Sequence, residues 1–123
     1  MLNIKKLMTK TLNSFVPKTG TFTKSQSASS SSIFVRQYGK VVSVNGYING
    51  VTTTANAETQ IGTLSNIGLP TEHIRALCSV GANGYSMGTP SYMSISVSGA
   101  VAVTSSNGGS GKAIYFNITY ISA

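Results

Sequence analysis

From Ile33 to the end of the chain, apolar residues recur at every second position in short runs broken by glycine, asparagine and serine. Side chains on a strand point to alternate faces, so a period of two commits each run to a strand with one buried face. The clearest case is Met93, Ile95 and Val97 alternating with Ser94, Ser96 and Ser98, followed by Val101 and Val103. This is a half-buried antiparallel hairpin turning at Ser98-Gly99. The last run places Ile114, Phe116, Ile118 and Tyr120 on one face and Tyr115, Asn117 and Thr119 on the other. Residues 33–38 and 40–44 flank Gly39, which predicts a hairpin around Tyr38-Gly39. Asn45-Gly46 is either a second tight turn or a glycine inside a longer strand. Asn49-Gly50 is the better turn candidate, because Thr and Ala residues follow it. Further strands are predicted at residues 59–64 and 74–80, with a loop over 105–111. The predicted fold is all-β: an antiparallel β-sandwich or jelly roll built from short strands and polar turns.

The first part of the chain follows a different period. Ile4, Leu7, Met8, Leu12 and Phe15 recur at helical spacing with lysines between them. This predicts a short amphipathic helix ended by Pro17 and Gly20, with an extended arm as the alternative. A helix this short needs a surface to pack on, either its own domain or copies of itself, which makes these five residues oligomerisation candidates. Residues 25–32 are almost all serine and read as a flexible connector or an exposed edge strand. At 123 residues the chain is one folding unit. It divides into a basic amphipathic helix or arm (1–24), a Ser-rich connector (25–32) and a β-sandwich domain (33–123).

Charge narrows the function. There is no aspartate, and Glu58 and Glu72 are the only side-chain carboxylates against nine lysines and arginines. A glycosidase needs two carboxyl groups facing each other across the scissile bond, and these two read as solvated surface residues. A Ser-His-acid triad would have to use His73, the only histidine. Its neighbour Glu72 would point to the opposite face of a strand. One cysteine, one histidine and two glutamates at no recognised spacing do not make a metal site. The run 108–112 fails as a phosphate loop, because Ser106 stands where the first glycine belongs and Ala113 where a Ser or Thr would touch magnesium. Neither an enzyme nor a cofactor is expected. Cys78 is alone, so no intrachain disulfide is possible. Asn117-Ile118-Thr119 matches a glycosylation acceptor but lies within a predicted strand.

Partners can be weighed in the same way. No apolar run approaches the roughly 18 residues of a membrane span, and polar groups interrupt the N-terminal segment too often for a secretory signal. Five of the nine cations, Lys5, Lys6, Lys10, Lys18 and Lys24, precede the connector. Such an arm could neutralise phosphates, but its lysines alternate with large apolar residues and form no arginine cluster, which argues against nucleic acid. Carbohydrate binding remains open. Tyr38, Tyr47, Tyr85 and Tyr92 are placed near turns or loops, with Asn83 and Asn45 as amides nearby. Aromatic faces with fixed hydrogen-bonding groups are what a sugar needs, although tyrosines also pack in β proteins with only the hydroxyl exposed.

The run Val35-Arg36-Gln37-Tyr38-Gly39-Lys40-Val41-Val42-Ser43-Val44-Asn45-Gly46-Tyr47 resembles a segment of C-terminal domains in tail-fibre and minor structural proteins. These come from phages and prophages of Firmicutes and other gut bacteria. The order of the later segments is similar too: Ile61-Gly62-Thr63-Leu64, Leu69-Pro70, Ile74-Arg75-Ala76-Leu77, the Ser98-Gly99 turn and residues 113–120. The resemblance spans residues 32–123. It implies a trimeric β-sandwich at the fibre tip that attaches a virion to a host-surface glycan or protein, alongside other tail proteins. It also implies that Asn45-Gly46 lies within a strand. A tail fibre's long N-terminal shaft has no counterpart in this sequence. The expectation is therefore a separately encoded tip, a fragment or a small virion accessory protein.

Overall fold

The period-two runs become strands in the computed structural model, which describes residues 16–82 and 88–123. The strands are β1 (Lys18–Thr19), β2 (Thr21–Lys24), β3 (Ser30–Tyr38), β4 (Val41–Thr53), β5 (Ala57–Ser65), β6 (Ile74–Ala82), β7 (Thr89–Ile95), β8 (Ala100–Ser105) and β9 (Gly109–Ile121). All pair antiparallel in one sheet, in the order β1-β3-β4-β9-β6-β7-β8-β5-β2. The two ends of that order, β1 and β2, are separated in the chain by Gly20 alone. One short segment therefore pairs with β3 on one side and β5 on the other, drawing the two edges together. The result is a nearly closed, barrel-like sheet.

This architecture replaces the sandwich or jelly roll expected from the sequence. Residues 18–24, assigned there to the N-terminal arm, belong to the β fold and wrap it around a single core. Gly20 is essential to the closure, because a Cβ there would stand 2.7 Å from Val35 Cγ1 and 2.8 Å from Ile67 Cβ. With β1 and β2 taken as one interrupted stave the barrel has eight, a size at which side chains alone fill the interior. Val44, Ile48, Ile61, Met93, Ile95 and Ile114 are completely buried there. The helix predicted around Ile4, Leu7, Met8, Leu12 and Phe15 lies outside the described residues.

The turns follow the sequence in part. Gly39 turns β3 into β4 at φ +59°, and Gly99 turns β7 into β8 at φ +89°. Asn49-Gly50 is not a turn. It is a bulge within β4, where the register against β9 shifts between Asn49 and Val51 and Gly50 takes φ +81°. The strand continues because Val51 and Thr53 still have core to cover. Asn45-Gly46 lies inside the same strand. Val97 leaves its predicted strand for the Ser96–Gly99 turn and is exposed, while the predicted 105–111 loop yields its last residues to β9. The serine-rich connector contributes Ser30, Ser31 and Ser32 to β3, and Gln26 pins the rest. Its side-chain amide donates to Thr52 O at 2.9 Å and accepts from Thr52 N at 2.8 Å, copying one rung of a ladder.

Cys78 faces the core, and burial pushes its thiol up to about 11. Only the thiolate is nucleophilic. Near neutral pH, a soluble thiol reagent should therefore label Cys78 only when the barrel opens, and labelling should accelerate with added denaturant. Immediate stoichiometric labelling of the native protein would contradict this burial.

Candidate functional site

The outer faces of β3, β4, β9, β6 and β7 form one continuous wall whose rows are set by register. One row runs Ser32, Tyr47, Tyr115, Ser79 and Pro90 across the five strands. Phe34 stands opposite Asn45, Asn45 opposite Asn117, and Leu77 opposite Tyr92. Arg36 stands opposite Ser43, which stands opposite Thr119; Tyr38, Val41 and Ile121 follow. Every exposed large apolar side chain among the described residues lies on this wall, apart from Val16 and Val97. Across the barrel, β2 and β5 turn Thr21, Thr23, Gln60 and Thr63 outward. The two sides thus have opposite character, and an exposed apolar concentration of this kind marks an interaction surface.

A groove of about 300 Å³ lies on the β3–β4 part of the wall, lined by Phe34, Arg36, Tyr38, Ser43 and Asn45. The guanidinium carbon of Arg36 sits 5.5 Å from the Phe34 ring centroid, a cation–π contact that steadies the side chain. The groove thereby presents ring faces, a fixed fork of donors, a hydroxyl and an amide to one small volume. Beside it, the Tyr47 and Tyr115 rings lie 5.8 Å apart at 33°.

A second opening of about 350 Å³ interrupts the wall where β6 and β9 part. Their pairing ends at Cys78 and Phe116, and the next contact is the Pro70–Ser122 bridge. Glu72, Arg75, Asn117 and Thr119 rim this slot, with Ile118 and Tyr120 among its apolar lining. The Tyr120 hydroxyl donates to Gly68 O at 2.6 Å, and burial raises its pKa to about 12. Glu58 lies on β5 and so does not share the slot with Glu72. Among the described residues no three of His, Cys, Asp and Glu gather as metal ligands. No helix among them is long and apolar enough to cross a membrane.

Four of the sequence-derived candidates, Tyr38, Asn45, Tyr47 and Tyr92, share this wall. Tyr38 flanks the hairpin turn as expected. Tyr47 and Tyr92 sit within strands rather than loops, because outward positions of the alternation carry them. Asn45 joins Tyr38 in the groove. Asn83 and Tyr85 lie outside the described residues. Sequence reasoning missed Phe34, Arg36 and Ser43, although the hairpin around Gly39 already implies their register. The alternation of the last run already turned Tyr115 away from the core, but no local signal placed it beside Tyr47 or brought Leu77 to the same wall.

The fold is similar to that of a phage head domain. The matched crystal structure is the head domain of phage bIL170, solved in a study of the receptor-binding domains of lactococcal phages. The TM-score is 0.62 at 22% identity, with 83% of this chain and 94% of that one covered. At this identity the likeness is one of fold. No protein-family model matches the sequence, and no curated protein does.

Proposed function

We propose that this chain is a receptor-binding domain of a phage virion, a homotrimeric tail-fibre tip that attaches to a glycan on the host surface. The observation that carries the reading is the fold shared with the bIL170 head domain over most of both chains. The groove of Phe34, Arg36, Tyr38, Ser43 and Asn45 supports it, since stacking faces beside fixed polar groups suit a sugar better than an apolar ligand. The role is one of binding, without catalysis or cofactor, and the other partners are tail proteins of the same virion.

Host-envelope glycans immobilised on a sensor provide the test. Arg36→Ala and Tyr38→Ala should each weaken binding about tenfold or more, the worth of one charge-assisted hydrogen bond or stacked ring. Both side chains are exposed, so thermal melting should stay unchanged. Failure of the wild-type protein to bind any host-envelope material would remove the receptor role. An accessory virion protein would then be the better reading, found in particles yet indifferent to the host. Nucleic acid is a further alternative, which would use the lysines of the N-terminal segment despite their apolar spacing. Its signature would be DNA affinity that falls steeply with salt.

A further inference from the structure

The β9–β6–β7 part of the wall differs from the groove. Leu77 stands 82% exposed on an outward position of β6, directly opposite the exposed Tyr92 on β7. Tyr115 lies diagonally across on β9, opposite Ser79, and extends the ridge toward Tyr47. These residues carry no charge; Arg75, two positions along β6, stands at the ridge's edge. Leucine offers a glycan neither a ring face nor a hydrogen bond, so this ridge does a different job from the groove.

Its size and chemistry fit a protein contact. At about 150–250 Å² per large side chain, Leu77, Tyr92 and Tyr115 together leave roughly 300 Å² exposed. That matches the apolar centre of an interface needing about 800 Å² per partner, with Ser79, Thr104 and Asn117 as its polar rim. Placed at a threefold axis, three copies of an uncharged ridge also meet without burying like charges. We infer that copies of this chain associate through the ridge formed by Leu77, Tyr92 and Tyr115, rather than through the apolar residues of the N-terminal segment. The inference rests on the self-associating form of the reading above, and it gives that reading a contact surface.

Light scattering on the full chain tests it. The wild-type mass should be a multiple of the chain mass, and Leu77→Lys should reduce it to one chain. Leu12→Lys in the N-terminal segment and Ser65→Lys on the opposite wall should leave the multiple intact. Tyr92→Ser serves as a second ridge variant, and melting curves report whether each variant is folded. A folded Leu77→Lys and a folded Tyr92→Ser that both keep the wild-type mass would overturn the ridge. Dissociation by Leu12→Lys alone would move the contact to the N-terminal segment and overturn it equally. A monomeric wild type would overturn both the ridge and the trimer, while glycan binding, measured separately, would still decide the receptor role.

Discussion

A chain that starts at Ser25 will lose the cooperative thermal transition that a chain starting at Val16 retains. Both lack the apolar N-terminal residues, and they differ only by the segment that closes the barrel. Residues 18–24 pair with Gln37 and Arg36 on one edge and with residues 62–65 on the other. Gly20 N adds a bond to Val35 O at 2.9 Å. Phe22 packs against the core over Gly62, where a Cβ would stand 2.2 Å from the ring. Each lost hydrogen bond costs about 0.5–1.5 kcal/mol and the lost burial of Phe22 about 1.5–3 kcal/mol. Together these reach several kcal/mol against a typical total of about 5–15 kcal/mol. The truncation also bares two strand edges that can recruit other chains, so aggregation should accompany the loss. Calorimetry of the two truncations decides it. Equal melting temperatures would mean that closure contributes little.

Gly46→Ala will cost about 3–5 kcal/mol, and Gly46→Val more. The residue holds φ +141°, and a Cβ there would lie 1.9 Å from Ser32 O and 2.9 Å from Ile33 Cα. The obstacle is backbone, and neither strand can yield. Gly46 is in register with Ile33 on one side and Phe116 on the other, in the stave between β3 and β9. Gly39→Ala provides the contrast. Its φ of +59° is also left-handed, yet nothing lies within 4 Å of a Cβ there. It should cost only about 1–2 kcal/mol, the local price of that conformation. Urea unfolding midpoints compare the two, and a Gly46→Ala protein as stable as Gly39→Ala would refute the close-approach argument.

These two predictions mark where local sequence information stops. The alternation of Met93 and Ile95, of Val101 and Val103 and of Ile114 to Tyr120 determined strands and inward faces, and the runs flanking Gly39 and Gly99 determined their turns, because side-chain direction on a strand depends on the strand alone. It also determined what is scarce, since two glutamates and one histidine limit the chemistry wherever they fold. The strands at residues 18–24 carried no such signal. They are short, rich in threonine and lysine, and ordered only by the edges they join. Asn49-Gly50 has the composition of a turn and became a bulge because β9 runs alongside and the core continues to Val51. The aromatic outer wall is likewise tertiary. Tyr38 and Asn45 meet through one hairpin, but Tyr47 meets Tyr115, and Leu77 comes to share their surface, because β9 lies between β4 and β6. Local periodicity specifies which way a side chain points; which strand lies next to it is decided by long-range pairing around a shared core.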